Sequence, residues 1–291
     1  MASGTILVPG GTGLVGSHAV RRWRTEGRKV VTVSSSGGGD MTADFTDLDA
    51  VRDAMARVGP SDVVNFAALA NVDRCEREPD LAHALNCDLA RNIGIALPRG
   101  ARFVHISTDM VYASAGMSHE TDVDLLNIYA RSKYAGDLAA RDHGATVLRL
   151  NVFGRSTNPD RSSFSDWVID AARNGRSIGL YDDVLISPLS FGTIADLIMR
   201  VVADPRPGIF NFGSAGGASK AAIGLGLVQM LGLSADGISR TRLGAQEGLP
   251  VKRPLDMRMD CGMFGETFGI RLPTTLEEME KVAGEYQHHG A

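Results

Sequence analysis

The sequence predicts an α/β fold, a doubly wound parallel sheet with a smaller α+β lobe behind it. Three observations predict it. Short runs rich in Val and Ile alternate with amphipathic stretches through the first half of the chain, which is the pattern of βαβ units. A glycine-rich turn lies directly between the first such run and the first amphipathic stretch. Beyond Asn151 the alternation gives way to mixed loops, glycine-rich connections and isolated helical windows.

In chain order, strands are expected at residues 5–8, 29–33, 62–66, 102–106 and 146–150, with helices at 14–26, 48–58, 79–97 and 129–142. Each strand is brief and apolar, as required when helices cover both faces of a sheet. Further helical windows fall at 194–202 and 276–284. The expected organisation is a first lobe over residues 1–152 and a second over 153–291, with about 186–204 returning to pack on the first. At 291 residues the chain has the length at which a single hydrophobic core divides. Its 44% apolar and 22% charged residues are ordinary for a globular protein.

A formal net charge of −4 supplies no field for nucleic acid or an acidic membrane surface, so phosphate binding must come from a local site. Cys75, Cys87 and Cys261 are odd in number and lack CxxC spacing. That argues against a disulfide framework or a zinc site, and predicts reduced thiols in a cytoplasmic protein. The N-terminal MASGTILVPGG has no basic region followed by a long apolar stretch, so neither a signal peptide nor a transmembrane helix is expected. His288 and His289 stand in a polar tail and are expected to be solvated, with no metal.

The turn Gly10-Gly11-Thr12-Gly13-Leu14-Val15-Gly16 follows a strand and opens a helix, the context of a dinucleotide-binding Rossmann unit. Without side chains, Gly10 can make the tight turn, Gly13 can let backbone approach a diphosphate, and Gly16 can let the helix pack on the sheet. The helix N-terminus then offers free N–H groups to the phosphates. The second strand ends in Ser34-Ser35-Ser36, without the carboxylate that binds a ribose 2′-hydroxyl in NAD sites. Hydroxyls tolerate a 2′-phosphate, so NADP(H) is expected over NAD(H).

Tyr129 and Lys133 stand at i and i+4, on one face of a helix. A lysine cation beside the phenol is expected to draw the tyrosine down from its usual value of about 10 and make it a usable general acid. Ser107-Thr108-Asp109 follows the strand at 102–106, at a carboxyl end where such sheets bind ligands. Thr108 is therefore expected to hold a substrate carbonyl oxygen beside Tyr129 as charge develops on it.

In this order these motifs resemble the extended short-chain dehydrogenases, and most closely the dTDP-4-dehydrorhamnose reductase family. The resemblance spans GGTGLVG, Asp44-Phe45-Thr46-Asp47, NFAALANVDRCEREPDLAHALN at 65–86, STDMVY at 107–112, YARSK, RLNVFG at 149–154 and RPLDMRMD at 253–260. It implies cofactor contacts from Asp44, Phe45, Ala67, Ala68 and Leu69, a triad of Thr108, Tyr129 and Lys133 in which Tyr129 and Lys133 also meet the cofactor and Lys133 holds the nicotinamide ribose, and a homodimer. The implied activity is reduction of the keto group of a nucleotide-linked deoxysugar, with NADPH giving hydride and Tyr129 the proton. Asp109 and Asn151 fall among the residues facing substrate.

The chain departs from the family pattern in several places. Asn151 stands where the family usually has tryptophan, Met257 where it has serine, and Leu125 and Ala130 where proline and glycine flank the catalytic tyrosine. Arg149, Arg155, Arg253 and Arg258 are candidates to grip a substrate diphosphate by paired hydrogen bonds, Arg253 foremost. Two related enzyme readings share the fold: an epimerase, and a 4,6-dehydratase, whose Thr-Asp-Glu is here Thr108-Asp109-Met110. A non-enzyme reading is a dinucleotide-binding regulatory subunit resembling the beta subunit of methionine adenosyltransferase.

Overall fold

The structure is a computed structural model that describes residues 4–158, 161–246, 248 and 250–287; His288 and His289 lie outside them. Strands β1 (Ile6–Pro9), β2 (Val30–Ser34), β3 (Met41–Thr42), β4 (Asp62–Asn65), β5 (Arg102–Thr108) and β6 (Thr146–Leu150) join Gly208–Asn211 in one seven-stranded sheet. All its pairings are parallel. From one edge the order is Gly208–Asn211, β6, β5, β4, β1, β2, β3. The order reverses between β1 and β4, and such sheets bind ligands beyond the carboxyl ends of their strands at that point.

Two strands of this sheet escaped the sequence reading. β3 pairs over two residues, Val33↔Met41 and Ser34↔Thr42, too short for any period to register. Gly208–Asn211 pairs with β6 from Gly208↔Thr146 to Asn211↔Arg149. Its Ile-Phe core follows Pro205 and Pro207, a context that reads as a loop.

The helices of the first half are α1 (Leu14–Thr25), α2 (Leu48–Val58), α3 (Val72–Arg77), α4 (Pro79–His83), α5 (Leu89–Ala96) and α6 (Ile128–Asp142). Local chemistry sets their ends. Asp47 caps α2 by accepting from the Asp49 N–H, and Asn127 caps α6 by accepting from the Ala130 N–H. The single helix expected over 79–97 is instead α4 and α5 joined by a π-helical turn, Ala84–Asp88.

Alternation along β1 divides the core between the two faces. Ile6 and Val8 pack with Trp23 of α1 and Ile198 of α8 (Phe191–Ala203, after α7 at Phe164–Arg173), whereas Leu7 packs with Met55, Ile93 and Ala140 of α2, α5 and α6. The Trp23 indole is fully buried and donates to Ala195 O at 2.9 Å, so α1 and α8 are tied as well as packed. A third core, with Phe153, Ile186, Ile223, Leu227 and Val282, fills the α+β lobe. Among the described residues no helix is long and apolar enough to cross a membrane.

Candidate active site

Gly10 and Gly16 are the positions where backbone packing demands glycine. Gly10 has φ +73°, and a Cβ there would come within 2.4 Å of Ala67 N; a Cβ at Gly16 would come within 2.3 Å of Gly10 O. β1 and β4 are neighbours at the reversal point, so the first turn is pressed against the segment that follows β4. Gly13 is the N-cap of α1 and makes no side-chain cap hydrogen bond. Among the described residues, then, the first N–H groups of α1 carry positive partial charge with no side-chain acceptor at the cap. Thr12, Leu14 and Val15 complete this cradle, which fits the diphosphate of a dinucleotide.

Two buried asparagines, which the sequence reading did not single out, shape the segment after β4. Asn65 Oδ1 accepts from Ala67 N at 3.0 Å, while its amide meets His105 Nδ1 at 3.0 Å. That contact makes Nδ1 the acceptor and puts the imidazole proton on Nε2. Asn86 Oδ1 accepts from Leu69 N at 2.7 Å, and its amide donates to Leu69 O at 3.2 Å and Ser132 Oγ at 2.9 Å. Ala67 and Leu69 are thus fixed by their backbones, and Ala68 is exposed between them. A polar residue in the middle of an apolar run was the one signal available.

At the other end of the turn, Ser34 and Ser36 hydroxyls lie 3.4 Å apart and Ser35 is exposed. A carboxylate does return to β2: Asp40 accepts from Thr32 N at 2.8 Å and Thr32 Oγ1 at 2.7 Å, and pairs with Arg24. Arg24 reaches this region from α1. Asp44 Oδ1 accepts from Thr46 N at 2.9 Å and Thr46 Oγ1 at 2.8 Å, closing an Asx turn. Phe45 is 3% exposed and packs in the core beside α2 and α5.

Thr108 ends β5 and Tyr129 opens α6, and the Thr108 hydroxyl lies beside the phenol. Lys133 Nζ donates to Ile106 O at 2.8 Å, two residues before Thr108 on the same strand. All three side chains are buried. The expected lowering of the phenol by Lys133 is not what this geometry gives. Burial pushes Tyr129 well above its usual range, opposed by the Thr108 hydroxyl and reinforced by the Asp109 charge. Spacing put the two groups on one face; it carried no information about how dry that face is. Lys133 is pulled down to about 8 by burial, against the pull of Asp137.

Asp109 follows Thr108 and is 1% exposed. Asn151 Nδ2 donates to its Oδ2 at 2.6 Å, and burial pushes the carboxyl up to about 7 against that bond and the charge of Lys220. Lys220, half-buried at the start of the helix Lys220–Met230, reaches this cluster from the second lobe and was missed in the sequence. The arginines separate. Arg149 is buried and paired with Asp137 at 2.8 Å, so it is not a surface grip for phosphate. Arg258 holds Asp256 through two bonds of 2.9 and 2.7 Å. Arg253 pairs with Asp73 at 2.8 Å and lines a cavity of about 450 Å³ with Leu126, Leu243 and Lys252. Arg155 lines a different cavity, of about 480 Å³, with His18 and Lys281.

The model of the RmlD substrate binding domain family matches residues 4–288. The chain belongs to that family. It is similar to the probable low-salt glycan biosynthesis reductase Agl14 of Haloferax volcanii, with 27% identity over 98% of this chain and 99% of that protein. It is also similar to the dTDP-4-dehydrorhamnose reductase of Mycolicibacterium smegmatis, with 31% identity over 74% of this chain and 65% of that one. Its fold is that of the Bacillus anthracis dTDP-4-dehydrorhamnose reductase solved in complex with NADP, with a TM-score of 0.87, 20% identity, and 97% and 99% of the two chains covered. In this member of the RmlD family, the glycine turn and the Thr108–Tyr129 pair both lie at the carboxyl edge of the central sheet.

Proposed function

We propose that this chain is an NADPH-dependent reductase of the keto group of a nucleotide-linked deoxysugar, acting as a dTDP-4-dehydrorhamnose reductase does. The observation that carries the reading is the Thr108 hydroxyl brought beside the buried Tyr129 phenol at the end of β5, with Lys133 one turn along the same helix. The names of the relatives and the NADP in the Bacillus anthracis structure support it. The glycine turn, with Ser34 and Ser35 toward the 2′-phosphate, would hold NADPH, which would supply a hydride.

The chain's own residues manage the oxygen. Burial keeps the Tyr129 phenol protonated, so it stands ready to donate as negative charge grows on the keto oxygen, which the Thr108 hydroxyl steadies. The Lys133 ammonium stabilises the phenolate that remains. Residues 1–152 serve the cofactor, with Asp44, Ala67, Ala68 and Leu69 around it, and residues 153–291 serve the sugar. Asp109 and Asn151 face the sugar ring. Arg253 reaches the substrate diphosphate on release from Asp73. A cytoplasmic homodimer completes the reading.

The test is loss of NADPH absorbance with a panel of nucleotide ketosugars that includes dTDP-4-dehydrorhamnose. Tyr129→Phe is expected to lower turnover by about 100-fold or more and to leave NADPH affinity nearly intact. A fully active Tyr129→Phe, or no turnover with any ketosugar, sinks the reading. Tightly retained NAD+ together with interconversion of sugar epimers would favour an epimerase.

A further inference from the structure

Beneath the Tyr129–Lys133 face of α6, Lys133 adjoins a buried charged cluster whose other members have no part in the proton transfer described above. Lys133 and Asp137 are four residues apart on α6, hence on one side of the helix, and are 2% and 0% exposed. Asp137 Oδ2 accepts from Arg149 Nε at 2.8 Å. Arg149 is wholly buried and donates through Nη1 to the Tyr112 hydroxyl and to Glu120 O, each at 2.7 Å. Tyr112 in turn donates to Asn211 Oδ1 at 2.6 Å, so the cluster is anchored to the edge strand of the sheet.

A buried ion pair is poor value as a stabilising device, because desolvating two charges offsets most of their attraction and an apolar pair fills a core as well. Its place beside Lys133 is the informative feature. Lys133 Nζ donates to Ile106 O, an uncharged acceptor, and an ammonium so placed has lost most of its hydration. Burial pulls it down to about 8, and Asp137 is the group that pushes it back up.

The other titratable groups packed around α6 do not do this. Tyr129, on the same helix, stays protonated through burial. His105 on β5 is held neutral, far below its usual range, by burial and then by the charge of Lys133 itself. Asp109, at the end of β5, is raised to about 7 by burial and bonded to Asn151. Arg149 on β6 is a cation. From the π-helical turn come Asn86, bonded to Ser132, and the Cys87 thiol, pushed up by burial. Burial raises Asp137 as well, and the charges of Arg149 and then Lys133 hold it back.

We propose that Asp137 is a positioning residue for the reaction: its carboxylate, anchored by Arg149, keeps Lys133 in the ammonium form one helical turn from Tyr129. The proposal rests on the reductase reading for what the ammonium does, and is independent of it for the protonation state. Without the carboxylate the ammonium loses its proton at lower pH, and the alkaline limit of activity follows.

The sequence has five lysines, few enough to titrate individually by NMR of the full-length protein labelled with carbon-13 at the lysine ε position, with Lys133→Met assigning the signal. The wild-type signal is expected to titrate near pH 8. Asp137→Asn moves it down by about one pH unit or more, and Asp137→Glu restores most of that shift. The alkaline limb of NADPH affinity, and of dTDP-4-dehydrorhamnose reduction, moves with it. Since Asp137→Asn leaves Arg149 without an anion, the double variant Asp137→Asn with Arg149→Met removes both charges and, where the single variant does not fold, reports a smaller shift in the same direction, because loss of the Arg149 cation offsets part of it. An unshifted Lys133 titration in either variant overturns the proposal. A shifted titration in a protein that reduces no ketosugar would sink the reductase reading and leave this one standing.

Discussion

A methyl group at position 10 meets two obstacles that can be separated. The torsion at φ +73° costs an L side chain about 1–2 kcal/mol, and the Cβ also strikes Ala67 backbone at 2.4 Å. Gly27 has nearly the same torsion, φ +76°, with nothing within 4 Å of its would-be Cβ. Gly27→Ala is therefore expected to lower Tm modestly and leave NADPH titration unchanged. Gly10→Ala is expected to lower Tm further and weaken NADPH binding about tenfold or more, because the cradle must shift. Equal effects from the two variants would mean that the close approach to Ala67 is unimportant. Asp109 offers a pH test at the same scale. The folded protein holds this proton up to about 7, whereas the unfolded chain releases it from about 3.8, so the contribution of the carboxyl to stability falls as pH rises through that window. The stabilisation conferred by Asp109→Asn should thus grow over the window and level off above it; a pH-independent difference in Tm between variant and wild type would contradict the assignment. Single residues were legible where the backbone alone decides, as at Gly10 and Gly16, or where helical spacing does, as at Tyr129 and Lys133. Arg149 was not, because a guanidinium's job depends on whether a carboxylate such as Asp137 reaches it first, and that partner is set by the fold.

At the scale of elements, helix interiors were readable from their apolar spacing. The split of 79–97 was not readable, since a π-helical turn changes the hydrogen-bond partner by one residue and leaves composition untouched. That turn carries Asn86, which serves both Leu69 backbone groups and Ser132 at once. Asn86→Leu leaves buried groups without partners and is expected to destabilise the fold by about 2 kcal/mol or more and to weaken NADPH binding, measured by Tm and by titration. An unchanged Tm would show that Leu69 finds other partners. Trp23→Phe removes the bond between α1 and α8 and is expected to cost about 1 kcal/mol, read from denaturant midpoints. It should spare cofactor affinity, because Trp23 lies two turns below the cradle.

At the scale of the whole molecule, the strand order follows from the first half of the chain except at one edge. β6 is flanked on one side by β5 and on the other by Gly208–Asn211, a strand made roughly sixty residues later. While the polypeptide is still emerging from the ribosome, β6 is therefore complete yet bare along one flank, its amides and carbonyls offered to any neighbouring extended segment. A fragment truncated after the first half should self-associate or engage chaperones, however good its nucleotide cradle. Dissecting the protein at the border between its lobes would cut it at the wrong place.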